Sequence, residues 1–147
     1  MRARVTPRAG LAAGLLIFSG AAAACGESLG PGTRELADAQ IRLVYKTVPA
    51  VPVVGRHFAL EIALCQTGKA AAPATPRVNA PATLSVDAHM PEHRHGMNYR
   101  PSVSRRGPGI YRAQGLMFHM PGRWELVFEV RNGQGAVQRL TQALTID

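Results

Sequence analysis

The stretch WELVFEVRNGQG, residues 124–135, decides the fold class. Its large apolar side chains recur at every second position, at Trp124, Leu126, Phe128 and Val130. This alternation is typical of a β-strand with one buried face. The NGQG sequence that follows is typical of a hairpin turn. We therefore expect residues 136–146 to return as an antiparallel neighbour.

The same period-two alternation recurs along the preceding chain, and turn-forming Gly and Pro residues separate its segments. The predicted earlier strands are residues 41–45, 58–64, 84–90, 102–105 and 110–120. Residues 66–81 are rich in Ala and Pro and are predicted to form a loop. No amphipathic pattern of helical length follows residue 39, so residues 39–147 are expected to form an all-β, immunoglobulin-like β-sandwich of about seven strands.

The first 24 residues have the three parts of a secretory signal peptide. Arg2, Arg4 and Arg8 precede an apolar run at residues 11–18 and a small-residue stretch at residues 19–24. The apolar run is shorter than the ~20 residues that span a bilayer. We therefore predict a cleaved leader, 1–24, and a bacterial periplasmic location, with a retained N-terminal anchor as the alternative.

Cys25 follows the small-residue stretch directly, where lipoprotein cleavage leaves an N-terminal cysteine. One hypothesis is that Cys25 is lipidated and tethers the protein to a membrane. The alternative is ordinary cleavage, which leaves Cys25 free or paired with Cys65 in the oxidising periplasm. Residues 25–38 carry turn formers without an apolar period and are predicted to be a flexible linker.

The charge pattern argues against nucleic acid as a partner. The formal net charge of +8 falls to +5 once the three arginines of the leader are removed, and the remaining basic residues are scattered. The sequence also lacks a serine in a nucleophile context and a convincing acid pair. We therefore expect a protein that is not an enzyme and has no catalytic residues.

Two clusters, HMPEHRHGMN (89–98) and MFHMPG (117–122), contain four of the five histidines and four of the five methionines. Imidazole binds copper, zinc and nickel, whereas a thioether selects Cu(I), so this mixture favours copper. The absence of a cysteine pair with metal spacing disfavours structural zinc. The candidate metal ligands are His93, His95, Met97, Met117, His119 and Met120.

Strand alternation predicts that Met117 and His119 share a face, whereas Met120 points the other way. Met90 continues the apolar side of its strand and is predicted to fill the core. For the remaining candidates, the alternative is that the histidines are exposed and bind no metal, and that Met117 and Met120 are core residues.

The two clusters, with Gly109-Ile110-Tyr111 between them and RWEL (123–126) after them, resemble the YtkA-like domain and its FixH-like relatives. The resemblance implies a small exported or membrane-anchored immunoglobulin-like domain that handles copper. It also implies a partner among membrane proteins of copper transport or oxidase assembly. The positions that carry over are His93, His95, Met97, His119 and Met120, whereas Arg94 stands where many members have Gly. The competing hypothesis is a metal-free interaction or scaffold domain accessory to a transporter or an oxidase assembly complex.

Overall fold

The computed structural model describes residues 25–67 and 83–147. The predicted leader and most of the predicted loop at residues 66–81 lie outside these ranges. Within them, no helix has the length and apolar character needed to cross a membrane.

The described residues form nine β-strands and one short 3-10 helix, Glu27–Leu29. The strands are β1 (Arg34–Ala37), β2 (Ile41–Val48), β3 (His57–Gln66), β4 (Thr83–Met90), β5 (His95–Gly96), β6 (Ser102–Gly107), β7 (Ile110–Met117), β8 (Gly122–Arg131) and β9 (Val137–Ile146).

The strands form two antiparallel sheets, one in the order β1-β2-β3-β7-β6 and the other in the order β5-β4-β8-β9. Within them, β2-β3-β7-β6 and β4-β8-β9 reproduce the A-B-E-D and C-F-G orders of an immunoglobulin constant-type sandwich. The predicted all-β sandwich is confirmed. The two additional strands are the short edge strands β1 and β5.

The alternating strands pack their apolar faces against each other between the two sheets. The four-stranded sheet shows this face clearly. Leu84, Val86, Ala88 and Met90 are buried on one side of β4, and the alternating residues of the neighbouring strand β8, from Trp124 to Val130, are buried on the same face. The prediction that Met90 fills the core is confirmed. Gly122 has a φ of 127°, a conformation that favours glycine, and a Cβ there would lie 2.8 Å from the Met90 Cε and displace that side chain.

The linker predicted for residues 25–38 is wrong, because the structure packs much of this segment onto the domain. β1 pairs with β2, from Arg34 opposite Tyr45 to Ala37 opposite Arg42. Leu29 is buried against Val44 and Ala63 on the outer side of the five-stranded sheet. This packing is not predictable from the sequence, because Leu29 and Leu36, seven residues apart, make no strand period.

Cys25 is bonded to Cys65 in a disulfide, with the two Cα atoms 6.1 Å apart. A lipid on an N-terminal cysteine is attached through the same sulfur, so one molecule cannot carry both the lipid and the disulfide. Of the alternatives considered for Cys25, the structure shows pairing with Cys65, and lipidation stays a prediction. The disulfide holds the chain at Gly26 so close to Val44 that a Cβ at Gly26 would lie 2.5 Å from the Val44 Cγ1.

Candidate metal site

The first cluster folds back on itself at the end of β4. The chain turns at residues 91–94, where the backbone N–H groups of His93 and Arg94 both donate to the Met90 carbonyl, at 3.2 and 2.9 Å. β5 then pairs with the end of β4, with His95 opposite Met90. The Met97 N–H donates to the Ala88 carbonyl at 3.1 Å. This hairpin places the first cluster over one end of the sandwich.

The second cluster crosses from one sheet to the other at the same end. β7 ends at Met117, Phe118 enters the core against Phe58 and Trp124, and β8 begins at Gly122. The Trp124 Nε1 donates to the Met120 carbonyl at 3.0 Å and fixes the crossing segment. The buried indole therefore positions His119 and Met120 relative to β8.

Three imidazole rings form a row where the clusters meet. The ring centres of His93 and His95 are 5.8 Å apart, and those of His95 and His119 are 5.0 Å apart. The Trp124 indole contacts two of these rings edge-on, with centre distances of 6.0 Å to His95 and 5.2 Å to His119. Two separate stretches of chain thus contribute to one group of side chains.

The hydrogen bonding of His95 leaves one ring nitrogen available. Its Nδ1 lies 3.2 Å from the Gly96 carbonyl oxygen. A carbonyl oxygen can only accept, so this bond requires the proton on Nδ1 and leaves the lone pair on Nε2. A backbone carbonyl that fixes the tautomer in this way is a common support for a metal-binding histidine.

His119 has the opposite feature, a polar atom without a partner. Its Nδ1 is buried and makes no hydrogen bond with any described residue. Burying an unpaired polar atom costs roughly 1–3 kcal/mol, and such atoms in native structures often mark the position of an ion or a water molecule. The described part of the chain therefore provides no partner for this buried nitrogen of His119.

The spacing of the two rings is compatible with a shared metal ion. Two imidazoles that each bind one ion at ~2.0 Å, at a tetrahedral angle, have ring centres about 5 Å apart. The His95 and His119 centres are separated by 5.0 Å. However, the His, Cys, Asp and Glu side chains of the described ranges form no group of three that could hold a metal ion. Further ligands would have to be of another kind.

Methionines are the candidates for that other kind of ligand at this end of the sandwich. Met97 and Met120 are partly buried and pack against the main core, each within two residues of a histidine of the row. Strand alternation predicted that Met120 would face away from His119, next to which it stands in the chain. The alternation does not apply there because β7 ends at Met117, before His119.

The structure does not join Met117 to this group. Met117 lies opposite His57 in the β3–β7 register, while the preceding pair, Phe58 and Leu116, is buried in the core. Met117 therefore belongs to the outer side of the five-stranded sheet. His57 in turn contacts Tyr99, with ring centres 5.3 Å apart.

His89 also lies apart from the row. It is on the outer side of the four-stranded sheet, where its Nε2 is 3.9 Å from a carboxylate oxygen of Glu125.

Sequence reasoning did not identify Trp124 as a residue that contacts the imidazole row. Its alternation with Leu126 and Phe128 already explained it as a core residue.

Arg94 occupies a left-handed backbone conformation, with a φ of 55°. It is the last residue of the turn that leads into β5, and its N–H closes that turn onto the Met90 carbonyl. Glycine adopts this conformation without steric cost. Arg94 therefore carries a conformational cost at the entrance to β5 that a glycine would not.

Comparison of the chain with known protein families, curated proteins and solved structures gives no match.

Proposed function

We propose that the protein is an exported module that binds copper through histidine and methionine side chains and captures or delivers it outside the cytoplasm. The observation that carries the proposal is the 5.0 Å approach of His95 to His119, whose buried Nδ1 has no hydrogen-bond partner among the described residues. His95, His119, Met97 and Met120 are the proposed principal ligands, and the more exposed His93 is the entry ligand.

The chemistry of the donor set favours copper over other ions. Thioether sulfur is a soft ligand that selects Cu(I), and imidazole binds copper well in both oxidation states. Calcium and magnesium need several oxygen ligands. The acidic residue nearest in sequence, Glu92, is exposed in the turn. The donor set therefore favours copper, which we propose is the cargo of this site.

The resemblance to the YtkA-like domain supports the same proposal. The two motifs on which the resemblance rests, around His93-Arg94-His95 and His119-Met120-Pro121, supply the side chains of the imidazole row and its methionines. An exported location follows from the predicted leader. A membrane protein of copper transport or oxidase assembly is the proposed partner class.

The proposal can be tested through the chain's single tryptophan, Trp124. Because its ring contacts His95 and His119, Cu(I) bound by these residues should quench its fluorescence. We expect one Cu(I) per chain with a Kd below about 1 µM, measured by competition with a chromogenic Cu(I) chelator under anaerobic conditions. The double variant His95→Ala/His119→Ala should bind at least about 100-fold more weakly, which corresponds to about 2.7 kcal/mol.

The matched control is His57→Ala/His89→Ala, which removes two histidines outside the row and should bind copper like the unsubstituted protein. A Kd weaker than micromolar for the unsubstituted protein would contradict the proposal, as would equal losses in both double variants. In that case the competing hypothesis, a metal-free interaction domain, would be favoured.

A further inference from the structure

The two sheets leave an opening on the side of the sandwich where β1 and β2 face β9. At the end away from the imidazole row, a hydrogen bond between the Gln138 and Gln40 side chains bridges this opening. At the other end, Arg34 is the first residue of β1 and pairs with Tyr45, so no described strand pairs with Lys46–Val48 on that side. A cavity of about 360 Å³ lies at this point, within the size range of small-molecule sites.

Both sheets and one loop line the cavity. The lining includes residues 34 and 45–47 from the five-stranded sheet and residues 144–147 from the end of the four-stranded sheet. Residues 50–53 form its third side. A hydrogen bond from the Thr47 hydroxyl to the Ala50 carbonyl, 2.7 Å long, attaches this loop to the end of β2. The cavity is therefore part of the fold and does not need a ligand to form it.

The Tyr45 side chain brings an unpartnered polar atom to this cavity. Its ring packs on Phe128 in the core, with ring centres 5.1 Å apart. Its hydroxyl is buried and has no hydrogen-bond partner among the described residues. Burial raises the pKa of Tyr45, and the nearby Arg34 guanidinium partly offsets this. A buried hydroxyl without a partner is destabilising, so a ligand atom that bonds to it gains an interaction that the described residues do not supply.

The charged groups of the lining differ in what they already bind. The Lys46 Nζ lies 3.2 Å from a carboxylate oxygen of Glu61 and is held in that ion pair. Arg34 takes part in none of the ion pairs that the described residues form. A guanidinium beside a tyrosine hydroxyl presents N–H and O–H donors, which a carboxylate accepts in strong, charge-assisted hydrogen bonds.

Apolar side chains form the rest of the surface that a ligand would contact. Val51 and Val53 line the cavity although they are 73% and 53% exposed, so they belong to its rim. Leu144 and Ile146 line it from β9. The cavity therefore combines a few polar donors with apolar walls, as small-molecule sites usually do.

We propose that this cavity binds a small organic acid with an apolar body. The carboxylate accepts hydrogen bonds from the Tyr45 hydroxyl and the Arg34 guanidinium. The apolar body lies against Leu144 and covers Val51 at the rim. Asp147 favours this orientation, because its carboxylate is at the β9 side of the lining and repels the acid group toward Arg34.

Titration of the metal-free protein with 3-phenylpropanoate, followed through the NMR signals of its backbone amides, tests the proposal. We expect saturable shifts centred on Thr47, Val53 and Thr145, with a Kd below about 1 mM for a ligand of this size. The neutral amide 3-phenylpropanamide has the same shape. It should bind at least about tenfold more weakly, because it lacks the charge that strengthens the bond with Arg34. The absence of saturable shifts with the acid, or equal binding of acid and amide, would overturn the proposal.

Two variants test the donors. Tyr45→Phe removes only the hydroxyl and should weaken binding of 3-phenylpropanoate at least about fivefold. It should not lower the melting temperature, because the hydroxyl makes no hydrogen bond with the described residues. Arg34→Gln should weaken binding at least about tenfold. The matched control is Arg42→Gln on β2, which removes a guanidinium that pairs with Glu35 at 3.1 Å and should bind the acid normally.

The variant His95→Ala/His119→Ala separates this site from the proposed copper site. It should bind 3-phenylpropanoate like the unsubstituted protein, so the copper proposal can fail while this one holds. Loss of acid binding in this variant would place the acid at the imidazole row and contradict the proposal. Unchanged binding by Tyr45→Phe, a fall in its melting temperature, or equal losses in Arg34→Gln and Arg42→Gln would each contradict it as well.

Discussion

Arg94 shows how a single residue can work against both the stability and the proposed chemistry of the site. Its left-handed conformation costs a non-glycine residue about 1–2 kcal/mol. Replacement by glycine removes this cost but adds roughly 0.5–1 kcal/mol of backbone entropy to the unfolded state. We expect Arg94→Gly to raise the free energy of unfolding by about 0.5–1 kcal/mol, measured by urea denaturation.

Arg94→Ala separates the conformational effect from the charge effect. Alanine retains the steric cost of a left-handed backbone, so this variant should not gain stability. Both variants remove a positive charge close in sequence to the proposed ligands His93 and His95. Both should bind Cu(I) about twofold more tightly, because a solvent-screened charge changes the binding free energy of a nearby cation by only about 0.5 kcal/mol. Equal stability of the glycine and alanine variants would show that the backbone of Arg94 is not strained.

At the scale of elements, the part of the N-terminal segment ahead of β1 is held by a disulfide and a small apolar contact. The disulfide connects residues separated by 40 positions, and Leu29 packs on Val44 and Ala63 beside it. Cross-links over loops of this size typically contribute 2–4 kcal/mol. We expect Cys25→Ser/Cys65→Ser to lower the free energy of unfolding by about that amount, measured by urea denaturation.

Reduction offers a check on the same bond. A thiol reductant should lower the free energy of unfolding of the unsubstituted protein toward that of the double serine variant and leave the variant unchanged. Mass spectrometry of the exported protein should show the loss of two hydrogens and no added acyl groups. Free thiols, or a lipid at Cys25, would contradict the arrangement.

The strands that sequence predicts well are those with at least four alternating positions. β4 and β8 show this most clearly, because their buried residues repeat over the whole strand. β1 and β5 were missed because four or two residues carry no period, and their pairing depends on partners elsewhere in the chain. Likewise, the sequence suggests that His95 and His119 lie close together, because both belong to motifs rich in the same metal ligands. The location of Met117 is not predictable in this way, because it depends on the long-range register of Met117 with His57.

At the scale of the whole molecule, the imidazole row connects parts of the chain that no regular strand pairing joins. His95 belongs to the hairpin on the four-stranded sheet, and His119 lies where the chain leaves the five-stranded sheet. A metal ion held by both histidines therefore cross-links the two sheets at one end of the sandwich. The NGQG hairpin after β8 lies at the opposite end and is not part of this link.

This arrangement predicts that copper stabilises the end of the sandwich with the imidazole row more than the opposite end. Free Cu(I) at 100 times its Kd should add about 2.7 kcal/mol to the free energy of unfolding, a rise in Tm of roughly 10 °C. Hydrogen exchange should slow most for the Met97 N–H, bonded to Ala88, and the Gly55 N–H, bonded to Phe118, because both lie beside the cross-link. The Gly135 N–H in the distal hairpin exchanges by local opening and should change little. A chelator should reverse both effects, and protection centred on the distal hairpin would place the metal at another site.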